Sequence, residues 1–239
     1  MKRFIKSIKT KIEQYLLQNS SRVYLYNCNQ EFASHIKPGS LVLDAGAGDA
    51  PYQELFANFQ YETADKFTSS CNYVCDLVAI PVKDERFDYI VCNQVLEHLP
   101  EPKQALKELC RVLKTGGEII CTTPFFYEEH LQPYDFYRYT QFGNSYLFQE
   151  AGFKIEKIEW LEGYLGTLAY QLEGAYKSLP ISINSLAKNW LIIIVLSPFF
   201  IFCKVLFLLL SAILYRLDLI IKLTSHGYPK NYVIVAKKT

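Results

Sequence analysis

Two periods of hydrophobicity alternate along the middle of the chain. Short apolar runs at 41–45, 87–92 and 118–123 have the character of strands buried on both faces. Between the last two, Pro102, Leu106, Leu109, Cys110 and Leu113 recur at spacings of three and four, the inner face of a helix. The pattern predicts strands over 41–45, 60–65, 86–92, 118–123, 153–160 and 231–237, and a further strand ending in Val74-Cys75-Asp76-Leu77. Helices are predicted over about 52–58, 101–113 and 141–151, with Thr115-Gly116-Gly117 turning the chain into the strand at 118. A helix over 21–37, stopped by Pro38-Gly39, leads into this unit. Alternating strands and helices argue for an α/β fold.

The stretch Leu41-Val-Leu-Asp-Ala-Gly-Ala-Gly-Asp-Ala50 reads as a strand, a glycine turn and the approach to a helix beginning near Pro51. Doubly wound sheets bind nucleotides with that arrangement. A dinucleotide fingerprint places a third glycine three residues after the second, where this chain has Pro51. Asp44 and Asp49 also disfavour a pyrophosphate, so a cationic or zwitterionic ligand fits the turn better. Asp44-Ala45-Gly46-Ala47-Gly48 resembles the first motif of class I S-adenosylmethionine-dependent methyltransferases. Phe87-Asp-Tyr-Ile-Val-Cys-Asn-Gln-Val-Leu-Glu-His-Leu99, followed by Leu113-Lys-Thr-Gly-Gly-Glu118, is similar to the small-molecule "methyltransferase type 11" branch of that family. The resemblance covers about residues 38–160 and departs at Ala50, where a third glycine is common.

It implies a Rossmann-like seven-stranded methyltransferase sheet, with helices on both faces and an antiparallel last strand. It also implies S-adenosylmethionine as cofactor. The expected cofactor contacts are Asp44, Ala45, Gly46, Ala47, Gly48, Asp65, Lys66, Asp76, Leu77, Asn93, Gln94 and Val95. Asp44 would orient the loop and the ligand's amino-acid end. Asp65, 21 positions later at a strand end, can accept from both ribose hydroxyls. Asp76 can accept from an adenine amino group, with Leu77 against the ring.

Residues 127–140 form an aromatic-rich segment after the fifth strand, at the sheet edge where open α/β folds hold ligands. The pattern His130-x-x-Pro-x-Asp135-x-x-Arg138-Tyr139-Thr140 resembles a subset of these methyltransferases associated with cell-envelope glycan and lipid pathways. Tyr127, His130, Tyr134, Asp135, Arg138 and Tyr139 are the expected substrate lid. On the alternative reading the aromatics only cover the sheet, and Asp135 pairs with Arg138. His130 is the candidate general base, its tautomer set by Asp135 or Glu97, because an imidazole titrates near neutrality. His98 competes for that role, or else caps and packs.

Composition narrows the partners. The net charge of +1 over 239 residues gives no field for nucleic acid, so none is expected. Seven cysteines without regular spacing read as reduced thiols. Cys71-x-x-x-Cys75 lacks a second pair, so no metal site is expected. Residues 1–20 form a basic amphipathic helix in which Phe4, Ile5, Ile8, Ile12, Tyr15 and Leu16 make one stripe. That helix lies on an anionic membrane or packs on the domain.

About seventy residues separate the strands at 153–160 and 231–237, and this insertion (161–228) is strongly apolar. From Trp190 to Tyr215 the one formal charge is Lys204. A single crossing would leave the last strand on the far side of a bilayer, and two crossings need about 40 residues. Ser197, Lys204, Ser211, Tyr215, Asp218 and Lys222 fall within about 60° of one another on a helix, with Arg216 outside the stripe. Such a helix can lie in a membrane interface, its stripe facing headgroups or the catalytic domain; the alternative is an oligomer interface, with a homodimer as one outcome. The combined expectation is a methyltransferase domain over 21–160 and 229–239, cytoplasmic and attached to the inner face of the cell membrane. Its reaction would be O-methylation of a lipid-linked glycan or another membrane-borne small molecule. A soluble acceptor, with the insertion used for dimerisation, and a non-catalytic envelope scaffold are the alternatives.

Overall fold

The computed structural model describes residues 19–180 and 190–239, with backbone alone for 190–195. The basic N-terminal helix expected over 1–20 lies outside the described residues as far as residue 18. The described residues form two compact units, 24–161 with 230–239, and 19–23 with 162–229.

The first unit is built on a sheet. Helix α1 (Ser20–His35) leads into β1 (Leu41–Ala45), a one-turn 3₁₀ helix (Gln53–Phe56), β2 (Gln60–Asp65) and β3 (Tyr73–Val74). Then come β4 (Phe87–Asn93), a second 3₁₀ turn (Leu96–His98), α2 (Pro102–Val112), β5 (Leu113–Pro124), α3 (Gln141–Glu150), β6 (Phe153–Trp160) and β7 (Asn231–Lys238). The sheet order is β3-β2-β1-β4-β5-β7-β6. β1 pairs in parallel with both β2 and β4, and β7 runs antiparallel between β5 and β6. The strand order therefore reverses between β1 and β4, which opens a crevice beyond their carboxyl ends.

Alternation along the central strands supplies two cores. Leu43, Ile90, Cys92, Ile119 and Ile234 pack against Leu106 and Leu109 of α2 and Phe148 of α3. Val42, Val91, Ile120 and Val233 pack against Phe32, Ala33 and Ile36 of α1 and against Phe56. Buried on both faces, these strands lack the polar alternation of a half-exposed sheet, as the apolar runs predict.

Three expectations are corrected. The helix over 52–58 is a single 3₁₀ turn, and Pro51 precedes it rather than opening it. Ala50, at φ 49°, consumes part of a short connection, leaving four residues for the turn, anchored by fully buried Phe56. The third strand has two residues, because Asp76 turns the chain away from the sheet by accepting from the Val78 amide. Thr115-Gly116-Gly117 is no turn before the strand: β5 starts at Leu113, and 114–117 bulge between the pairs Phe87–Leu113 and Tyr89–Glu118.

The second unit is helical. α4 (Tyr164–Ser178) packs with the 31-residue α5 (Trp190–Ile220), which carries Pro198 in its interior. The Tyr164 amide at the start of α4 donates to the Leu223 carbonyl just beyond α5, at 2.8 Å, so the two helices run as a hairpin. Its polarity is inverted. Ser211, Tyr215 and Asp218 are buried and Lys204 nearly so, whereas Phe199, Phe202, Val205, Ile213 and Ile220 are more than half exposed. The narrow polar stripe of α5 therefore faces α4. Residues Leu196–Ile220, at mean hydropathy 2.3, make one helix long and apolar enough to cross a membrane by length and composition.

Candidate active site

The loop after β1 is folded back on β2. Gly46 and Ala47 donate to the Ala64 carbonyl at 2.8 and 3.2 Å, and Gly48 donates to the Asp65 carboxylate at 3.1 Å. Gly46 holds φ +76°, and a Cβ there would run into the Val95 side chain, so position 46 needs glycine for both conformation and space. Asp44 lies beneath this loop, almost wholly buried, and accepts from the Tyr61 hydroxyl. Burial is the larger influence on its carboxyl, which is pushed up to about 6; the Tyr61 bond opposes it and nearby Asp65 reinforces it.

Asp65 ends β2 at the same edge. It accepts from the Phe67 and Thr68 amides at 2.8 Å in addition to Gly48. Burial raises its carboxyl, but the three amides outweigh it and the net shift is downward. With three of about four acceptor positions engaged, two ribose hydroxyls fit only if one amide bond opens. Lys66 pairs with Asp76 at 2.8 Å on the surface, which ties two of the expected cofactor contacts together. Leu77 is buried in the core beside the same turn.

Asn93, Gln94 and Val95 close the other wall. The Asn93 amide nitrogen donates to Asn29 of α1 at 2.8 Å, and its oxygen accepts from Thr122. Gln94 holds φ +55° and donates its backbone amide to the Thr122 carbonyl. Asn29 and Tyr61 were missed by the sequence reading. Tyr61 sits one place into a predicted strand and could have been suspected as the inward partner of Asp44; nothing near Asn29 in the sequence announces it.

The 3₁₀ turn after β4 presents a cluster. Glu97 is wholly buried and, among the described residues, neither carboxylate oxygen has a hydrogen-bond partner. Its carboxyl is pushed up to about 8, chiefly by burial. His98 Nε2 lies 3.7 Å from Glu97 Oε1, while Nδ1 donates to the Tyr134 carbonyl at 2.5 Å. Burial holds the His98 imidazole below its usual value. His130 packs edge-on against His98 at 4.6 Å between ring centroids. Its Nδ1 faces the Asp135 carboxylate at 3.3 Å and the Glu128 carbonyl at 3.2 Å. The sequence names His98 and His130 as rivals; the fold makes them neighbours.

The segment expected to be a lid divides. Asp135 and Arg138 do pair, through two contacts at 2.6 and 2.8 Å, and Asp135 also accepts from the His130 amide. Arg138 further donates to the Tyr127 and Glu128 carbonyls, so it staples the segment. Tyr139 is buried with its hydroxyl on the Leu96 carbonyl. Tyr134 remains exposed, its ring on Phe67 at 5.4 Å, and Tyr127 packs between His130 and the Lys230 ammonium.

A glycine loop over β1, an acidic residue ending β2 and the crevice at the β1/β4 reversal make a nucleoside-binding edge. Residues 43–121 match the family model described as "Methyltransferase domain". Over those residues, a third of the chain, the protein resembles a methyltransferase domain. It is 33% identical over 127 residues to the ubiquinone biosynthesis O-methyltransferase of Coxiella burnetii, covering 46% of this chain and 52% of that protein. The human probable tRNA methyltransferase 9B is 32% identical over 110 residues, covering 38% and 23%. The chain thus spans about half the length of the first of these relatives.

The fold is that of Haemonchus contortus phosphoethanolamine N-methyltransferase 2, solved with S-adenosyl-L-methionine: TM-score 0.54 at 15% identity, covering 89% of this chain and 52% of that one. It is also that of the [4+2]-cyclase SpnF, with TM-score 0.51 at 16% identity and coverage of 87% and 80%. One fold can therefore host unlike chemistry, and this chain's own site must carry the functional argument.

Proposed function

We propose that the chain transfers a methyl group from S-adenosylmethionine to a hydroxyl oxygen of a membrane-borne small molecule, such as a lipid-linked glycan. The observation that carries this reading is the acidic cradle of Asp44, Asp65 and Asp76 beside a paired-histidine cluster. On this reading Asp44 serves the cationic amino-acid end and Asp65 the ribose, and Gly46 lets the backbone approach. Lys66, Leu77, Asn93, Gln94 and Val95 complete the walls. The cofactor, when bound, supplies an electrophilic methyl group.

The chain's part is to align the acceptor and take its proton. His130, with Nδ1 on Asp135, presents Nε2 as the proton acceptor, and His98 beside it is the alternative. Tyr134 and Phe67 offer exposed rings to the acceptor's apolar or sugar face. The relative named for O-methylation in ubiquinone biosynthesis supports oxygen as the target.

The exposed apolar face of α5 supports attachment to the membrane from the cytoplasmic side, as a hairpin lying in the interface. Calorimetric titration of detergent-solubilised protein with S-adenosylmethionine tests the cofactor. Micromolar binding abolished by Asp65→Ala is expected; no binding to folded protein overturns the reading. Flotation with anionic vesicles tests attachment, and a monodisperse detergent-free protein that stays at the bottom of the gradient overturns it.

A further inference from the structure

Glu97, His98 and His130 each offer a ligand atom, and the three atoms lie within 4.8 Å of one another. We propose that this cluster binds a divalent transition-metal ion, as a two-histidine, one-carboxylate site. The Glu97 carboxylate is wholly buried without a hydrogen-bond partner among the described residues, and its Oε1 lies 3.7 Å from His98 Nε2. A buried carboxylate in that position is stabilised by a cation among its neighbours.

Both imidazoles are already oriented as metal ligands are. His98 Nδ1 donates to the Tyr134 carbonyl, and His130 Nδ1 faces the Asp135 carboxylate and the Glu128 carbonyl. That fixes the tautomer of each ring and leaves both Nε2 lone pairs for an ion. Arg138 in turn holds Asp135. Ligands at about 2.0–2.2 Å from an ion stand roughly 3–4 Å apart, which the 3.7 Å between Glu97 and His98 already meets. Nitrogen donors paired with one carboxylate favour zinc, iron or cobalt over magnesium. Cys71 and Cys75 take no part.

The ion and a proton compete for the same imidazole lone pair. With an ion bound, His130 would no longer take the proton; the cation would acidify the acceptor hydroxyl, whose proton would pass to water. Metal binding itself stands on the cluster alone and does not depend on methyl transfer.

Cobalt(II) titration of the full chain in detergent, followed by visible spectroscopy and by calorimetry, is the test. One equivalent is expected, with visible ligand-field bands and without the intense near-ultraviolet absorption of thiolate ligation. Glu97→Gln and His130→Ala should each weaken binding at least tenfold, while circular dichroism shows the fold intact. His130→Ala alters a half-buried loop residue, so it keeps the test valid if Glu97→Gln fails to fold. Asp65→Ala should lose S-adenosylmethionine and keep cobalt, which separates failure of this site from failure of the cofactor reading. No uptake by folded protein, uptake unchanged by the variants, or thiolate absorption would each overturn the proposal.

Discussion

Lys204 and Asp218, fourteen residues apart on α5, bracket α4 from its two ends. The Lys204 ammonium donates to the carbonyl of Leu179, which caps α4, at 2.7 Å and to that of Tyr176 in its last turn. Asp218 lies against its first turn, where a Cβ on Gly163 or Gly166 would come within 2.5 Å of the carboxylate oxygens. A cation at the carboxyl end and an anion at the amino end match the dipole of α4. The same two residues explain the inverted hairpin, whose polar stripe is turned inward to satisfy helix ends and whose apolar face is turned outward.

Lys204→Met should therefore destabilise the hairpin by about 2–3 kcal/mol, since two carbonyls lose a charged donor while the side-chain stem is kept. Gly166→Ala should do likewise, by forcing Asp218 away from α4. Denaturant unfolding in detergent measures both. Unchanged midpoints would remove the bracketing role.

Binding of S-adenosylmethionine should weaken as pH falls through about 6, because protonated Asp44 no longer faces a cation with a charge. The decline approaches tenfold per pH unit. For stability the sign is opposite. A carboxyl raised above its unfolded value of 3.8 binds its proton more tightly when folded, so this group's contribution is present at low pH and lost as pH rises towards 6. Asp44→Asn should flatten both profiles, as read by calorimetry and by thermal unfolding across pH 4–8.

Gly46→Ala should cost about 1–3 kcal/mol in backbone strain alone, with the displacement of Val95 added. Thermal unfolding reads the first effect and cofactor titration the second. Loss of binding together with a clearly lowered melting temperature is the expected signature.

Asp65→Ala should abolish cofactor binding, whereas Asp76→Ala should weaken it by less than about tenfold. Asp65 organises three loop amides, while Asp76 holds one surface lysine and one turn amide. Surface ion pairs contribute little. Titration of both variants under one set of conditions decides the ranking.

Much of the sheet was legible because its strands carry period and composition locally. β1, β2 and β6 have the predicted bounds, and the glycine turn after β1 sits where its spacing placed it. The one-turn 3₁₀ helix after Pro51 and the bulge at 114–117 were illegible. Each depends on how much chain remains between strands already fixed in register, which no local pattern records.

The sequence by itself determined the α/β alternation, the acidic glycine loop and the narrow polar stripe of α5, since each follows from neighbouring residues at fixed spacings. Tertiary structure alone decided which way that stripe faces, that Tyr61 meets Asp44 and that Asn29 meets Asn93. It also decided that His130 brings a ligand atom within 4.8 Å of those of Glu97 and His98. Those relations join residues from separate elements, and their distances are set by the sheet's strand order and by which charges can be buried together.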